Sequence, residues 1–344
     1  MAVCLLSFLA VGLSMLAVLA SASFNYSDPG MWGADFPTCD GTSQSPLSIE
    51  TPSVRQVSGF PFELGSGCTI PAGQAYYVEY TDGGMAMMWN HSSCTLAQPN
   101  GVSLQLGRIS FHIRGEHVID GTFTALEMQM QFYSLALPLT SITVDTTPSA
   151  IVAAGFSTES SLSVGGDLEA LVNDVFDGTL PGFVNVTSTT NATSSNTTST
   201  STNASSSNVT VSNTTVSSRM FQGRDVVFVS VVARSATVTL NLTVLSFTPY
   251  YHYVGSITAP PCTEGVRWYV LATTYKASRL SVEAYSTALV SAGDVGGMNS
   301  RPVQGTPEGR SVLYFTGSYP TSGGVSRCVA WSAGILLAAA FTLL

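Results

Sequence analysis

Apolar and polar side chains alternate with a period of two along Ile109–Ile113 and again along Leu126–Phe132, the spacing of half-buried β-strands. In the first run Ser110 and His112 fall on one face, with Ile109, Phe111 and Ile113 on the other. In the second, Glu127, Gln129 and Gln131 share a face backed by Met128, Met130 and Phe132. Two strands joined by a loop are predicted, their polar faces lining one cavity. Further β-prone runs lie at 76–80, 85–89, Leu139–Val144, Ala150–Ala154, Asp225–Val232 and Ser235–Leu245, with turn residues such as Asp82-Gly83-Gly84 between them. Helical spacing is found at Leu168, Leu171, Val172 and Val175. With Asp167 as N-cap and Gly178 just past the end, it predicts a packing helix over Asp167–Phe176.

The periodicity stops between Val186 and Ser218, where the chain is almost entirely Ser, Thr and Asn. Such a segment buries too little apolar area to offset its ordering entropy, so a disordered, glycan-bearing loop is expected. Asn-x-Ser/Thr acceptors start at Asn185, Asn191, Asn196, Asn203, Asn208 and Asn213, with others at Asn25, Asn90 and Asn241. Residues 1–22 are apolar and end Ala20-Ser21-Ala22, the pattern of a secretory signal peptide, with a retained anchor as the alternative. Residues 317–344 read as a GPI-attachment signal or a C-terminal membrane anchor. Ser322-Gly323-Gly324 precede the apolar run Val329–Leu344, which is shorter than the roughly 20 residues of a spanning helix. Both ends predict a protein held at the extracellular face of the plasma membrane.

Only 10% of the 344 residues are charged and the net charge is −9, which argues against a nucleic acid or an anionic membrane surface as partner. Cys4 and Cys328 lie in the two terminal segments. Cys39, Cys68, Cys94 and Cys262 remain, an even number suited to an oxidising compartment and open to three pairings. There is no Gly-x-Ser-x-Gly, no phosphate-cradling glycine loop and no His-Glu-x-x-His.

Four patches, in order along residues 26–316, resemble the α-class carbonic anhydrases. They are Trp32 with Gly41 and Gln44-Ser45-Pro46-Leu47-Ser48-Ile49; the hairpin with Phe111-His112, Glu116-His117, Asp120-Gly121 and Leu126-Glu127-Met128; Tyr250 to Trp268, with Pro260-Pro261-Cys262-Thr263-Glu264-Gly265; and Asn299-x-Arg301-Pro302-x-Gln304. The Pro-Pro-Cys-Thr-Glu-Gly run is the most specific, having no generic structural reading. The resemblance implies a mainly β (α+β) single domain over 23–316, built on a large twisted, mostly antiparallel sheet with a few short helices. The Ser/Thr/Asn segment 186–218 would be an insertion in it. The resemblance also implies a Cys39–Cys262 link, leaving Cys68–Cys94.

Members of that family hold zinc on three hairpin histidines, and the metal brings the pKa of a bound water to about 7. By resemblance those positions are Ser110, His112 and Gln129 here, one imidazole of three. Hydroxyl and carboxamide oxygens are weak zinc ligands, so no cofactor is expected, and zinc only if another donor set, such as His112 with Glu127, rebuilds the site. Glu116 and Thr258 match the family's carboxylate–threonine pair that orients zinc-bound hydroxide. Ile257 matches an apolar wall of the CO₂ pocket, and Ala259 departs from a usual threonine. His117 would be a structural histidine near Tyr253 and Ser45, His91 a loop histidine loosely placed near the family's proton shuttle, and Arg114 a loop cation. Ser110 beside His112 reads as a satisfied pair rather than a nucleophile and base. The expectation is therefore a catalytically inactive surface glycoprotein, a binding or display module for an extracellular ligand or receptor. An unconventional carbonic anhydrase is the alternative, and a structural coat protein the third reading.

Overall fold

The computed structural model describes residues 24–58, 62–71, 75–81, 84–88, 93–142, 146–158, 230–235, 240–291, 295–306 and 310–317. The expected signal peptide, helix Asp167–Phe176, Ser/Thr/Asn insertion and C-terminal anchor, along with His91, lie outside these residues.

The strands that organise the fold are β1 (Arg55–Val57), β2 (Ala75–Thr81), β3 (Gly84–Met88), β4 (Ser103–Ile113), β5 (Leu126–Ser134), β6 (Ala150–Ser157), β7 (Ser230–Ser235), β8 (Tyr250–Ser256), β9 (Glu264–Leu271) and β10 (Leu313–Phe315). They pair in the order β7-β2-β3-β4-β5-β6-β9-β8-β10-β1. Most ladders are antiparallel. The β6–β9 and β10–β1 ladders are parallel, so the large sheet is mixed. Few helices accompany it, as a strand-rich pattern with little 3.6-residue periodicity requires.

Alternation along the strands builds a core on each side of the sheet. One holds Phe111, Met128, Met130, Phe132, Val152 and Tyr269. The opposite one holds Ile151, Ala153, Tyr251, Tyr253, Trp268 and Val270, joined by Leu47 and Ile49 from the lead-in. Cys39 and Cys262 are disulfide-linked, as are Cys68 and Cys94. The first pair packs with Tyr26 and Trp32, fastening the lead-in to the turn between β8 and β9.

Three segments differ from their sequence reading. Leu139–Ser141 is a turn of 3-10 helix, not a strand, entered through Pro138 and closed by an Ile142 N–H to Leu139 carbonyl bond. Within Ser235–Leu245 the described residues form a two-residue strand, Leu240–Asn241. A 3-10 turn follows, which the Asn241 side chain caps by accepting from Thr243 N–H. Arg279–Ser291 is a 13-residue helix absent from the sequence reading. Its inner side is Val282, Tyr285 and Leu289, all buried.

Candidate functional site

The site is built on the β4–β5 ladder. Its register sets Gln129 opposite Ser110 and Glu127 opposite His112, so the polar faces read from the sequence do meet. The chain between the strands folds back as a small hairpin. Asp120 and Gly121 both take positive φ, 49° and 74°, joining Val118–Ile119 to Thr122–Phe123. Two left-handed residues give the connection a twist that matches the strands, and Asp-Gly suits them. The Asp120 carboxylate then accepts hydrogen bonds from the Thr51 amide and hydroxyl, tying the loop to the lead-in. Arg114 sits at the surface with its guanidinium 3.6 Å from the Phe123 ring centroid.

His112 is buried and held from one side by Asn299. Its Nδ1 lies 2.9 Å from the Asn299 carbonyl oxygen. A carbonyl only accepts, so Nδ1 carries a proton and Nε2 is the nitrogen turned toward Ser110. There Nε2 meets Ser110 Oγ at 3.4 Å, and Gln131 Nε2 donates to the same oxygen over 3.2 Å. Asn299 is clamped to the end of β4 by its own amide. Its N–H and Oδ1 engage the Ile113 carbonyl and N–H, and Nδ2 donates to the Phe111 carbonyl. Gly84 makes room for it. At φ +104°, a Cβ there would stand 2.5 Å from Asn299 Nδ2 and 2.6 Å from the Tyr285 hydroxyl.

Two carboxylates are sealed below. Glu127 accepts from the backbone N–H groups of Glu116 and His117 and from His117 Nδ1 at 2.9 Å. Burial alone would raise its pKa, but the His117 ring and these hydrogen bonds bring it down to about 2. His117 continues through Nε2 to the Tyr253 hydroxyl, which donates to Ser45 Oγ. Glu116 accepts from the Arg301 N–H at 2.9 Å and hydrogen-bonds the Thr258 side chain. Its Oε1 lies 3.4 Å from His112 Nδ1. Burial, helped by the nearby Glu127 charge, raises the Glu116 pKa, although its neighbours are donors that suit the ionised form. Gln129 joins the pair, its Nε2 donating to Glu116 at 2.6 Å and to Glu127 at 3.0 Å.

Ile257 is buried in the Trp268 core beside Thr258, while Ala259 is half-exposed. His252 is remote from this network, giving Nδ1–H to the Trp268 carbonyl and stacking on Tyr269. Asn25 is exposed and Asn241 half-exposed, and the other acceptor asparagines lie outside the described residues.

The sequence motif contains Asn299 and Arg301, but reading it assigned them no task. Asn299 orients His112, while the Arg301 guanidinium reaches Gln44 Oε1 and the Ser45 and Cys39 carbonyls. Asn299 and Arg301 lie more than 180 residues from His112 and Glu116, the hairpin residues they meet, and no local signal announces the contact.

The donors do not fit a zinc centre of three neutral imidazoles. The face offers one imidazole nitrogen, one hydroxyl and one carboxamide whose nitrogen is committed to two carboxylates. Among the described residues no group of three or more His, Cys, Asp or Glu side chains is arranged to hold a metal ion.

Comparison with known proteins agrees with this architecture. Residues 224–316 match the family described as eukaryotic-type carbonic anhydrase, a span that includes Thr258, Asn299 and Arg301 but not the hairpin. Alpha carbonic anhydrase 4 of Arabidopsis thaliana is 48% identical over 67 residues, 19% of this chain and 23% of the relative. The curated relatives are thus matched over about a fifth of their length. The structure of dioscorin complexed with ascorbate superposes with a TM-score of 0.55, at 22% identity, over 86% of this chain and 98% of that one. The α-carbonic anhydrase of Thermovibrio ammonificans, complexed with sulfanilamide, gives 0.55 at 19% identity over 86% and 100%. The chain has the α-carbonic anhydrase fold, and over residues 224–316 it carries the match to the eukaryotic-type carbonic anhydrase family.

Proposed function

We propose that this chain is a metal-free carbonic-anhydrase-fold protein, a secreted and surface-tethered glycoprotein whose pocket recognises a ligand instead of hydrating CO₂. One observation carries the reading: the Gln129 amide spans Glu116 and Glu127, where zinc chemistry would need an imidazole nitrogen turned into the pocket. A carboxamide that donates to both carboxylates satisfies them internally. Its nitrogen is thereby committed to the two acids and is withheld from the face shared by Ser110 and His112. The fold is compatible with such use, since its structural neighbour dioscorin is seen with ascorbate. Surface display rests on the apolar ends and on the acceptor asparagines between 185 and 213.

A second reading, a weakly active zinc-dependent carbonic anhydrase, is favoured by the Glu116–Thr258 hydrogen bond, the contact that would orient a metal hydroxide. Metal analysis of the secreted protein separates the two. Zinc well below one ion per chain, with CO₂ hydration at the buffer rate, is the expected result. About one tightly held zinc per chain would refute the proposal.

A further inference from the structure

A cavity of about 130 Å³ opens where the Val118–Phe123 hairpin, β6 and the chain leaving β9 come together. It has room for roughly four waters at about 30 Å³ each. None of Ser110, His112, Gln129, Ile257 and Thr258 lines it. Its walls are apolar, with Ile119, Ala153, Val270 and Ala272 among the lining side chains. Its floor is His117 with Glu127, two polar groups whose hydrogen-bonding capacity is spent. Glu127 already accepts from the Glu116 and His117 amides, from His117 Nδ1 and from Gln129 Nε2. The His117 nitrogens are taken by Glu127 and the Tyr253 hydroxyl. A molecule lying against this floor gains no hydrogen bond from it. The rim is different. Thr122 and Thr274 are exposed and Thr124 is half-exposed, and all three line the cavity. Among the described residues none of their hydroxyls has a hydrogen-bond partner. Gly155 leaves Thr124 its place, since a Cβ on that glycine would stand 2.6 Å from Thr124 Cγ2.

We infer that this cavity binds a small uncharged alcohol or diol of about five non-hydrogen atoms, its alkyl end on the floor and its hydroxyls at the threonine rim. The size follows from the volume, because a dry cavity of about 150 Å³ takes up benzene. The alkyl end follows from the walls, where four apolar side chains and a saturated floor favour surface withdrawn from water. The hydroxyls follow from the rim, since a threonine oxygen both donates and accepts and meets an alcohol in either role. An anion is refused because Glu127 is ionised and buried beneath it. A cation is refused because no lone pair of Glu127 remains to replace the water it would lose. Occupancy here is independent of the hairpin's zinc content, so its failure leaves the proposed function standing.

Saturation-transfer NMR on the full secreted protein tests this, with propane-1,2-diol as the probe. Propionate and 1-aminopropan-2-ol serve as charged probes of the same size. A dissociation constant of about 1 mM is expected for the diol, the range open to so small a ligand. Both charged probes should bind at least about tenfold more weakly. Ala272→Leu, which extends a lining side chain into the cavity, should abolish the transfer. Thr124→Val, which keeps the shape and removes the hydroxyl, should weaken the diol about tenfold. Circular dichroism of each variant confirms that the fold is intact, and Ser134→Ala, on an exposed strand end, serves as the unaffected control. Absence of a diol signal, transfer that survives Ala272→Leu in a folded chain, or a charged probe that equals the diol overturns the inference. If Ala272→Leu does not fold, Thr124→Val decides, and undiminished diol binding in that variant overturns it.

Discussion

At Gln129 a single carboxamide nitrogen stands between the Glu116 and Glu127 carboxylates, and the two acids titrate in opposite directions. Glu127, at about 2 in the folded chain, lies below the roughly 4.3 of an unfolded glutamate. Its ionised form therefore favours the fold by about 3 kcal/mol, in full above roughly pH 4.3 and lost as the pH falls toward 2. Glu116 is raised by burial, so above roughly pH 4.3 the unfolded chain releases this proton first and stability declines through the folded titration. Urea unfolding free energies measured from pH 2 to 8 should rise along the acid limb and then fall. Glu116→Gln should flatten the fall and leave the acid limb in place. An unchanged decline in that variant would mean that Glu116 is not the group responsible.

The elements are joined by links of very different span. Cys39–Cys262 closes 223 residues and fastens the lead-in to the β8–β9 turn, whereas Cys68–Cys94 closes 26. By loop entropy, removing the first pair as Cys39→Ser with Cys262→Ser should cost about 5 kcal/mol, and removing the second about 3.5 kcal/mol. Urea midpoints of the two double variants, compared at equal slope, check the order. A larger loss from the short loop would place the stabilisation in local packing. The hairpin that carries the pocket was readable from its two-residue period because one face is buried and a register slip would invert every side chain. The helix Arg279–Ser291 was not read, although Val282, Tyr285 and Leu289 recur at helical spacing. Exposed Leu280 and Val290 blur the stripe, and the segment has no acidic first turn or basic last turn to mark its ends.

Across the whole molecule the sheet holds the three hairpin positions in ladder register, whatever their side chains. Glu127, Thr258 and Asn299 remain placed around them. Ser110→His combined with Gln129→His should therefore gain about one zinc per chain, with measurable CO₂ hydration. Elemental analysis and a hydration assay read the gain. A folded double variant that takes up no zinc would show that more than two side chains separates this pocket from a metal centre.

Strand faces, turn residues and the absence of imidazoles at the Ser110 and Gln129 positions were decided by the sequence, since each depends on residues close together in the chain or on residue type alone. Which groups complete the pocket was decided only by the tertiary structure. The Asn299 carbonyl on His112, the Arg301 amide on Glu116 and the Gln129 bridge come from segments up to about 190 residues apart. Their bonds exist only where the sheet and the closing loops bring backbone atoms together out of water. Hydrogen bonds of that kind have no periodicity to betray them, and burial makes them worth forming.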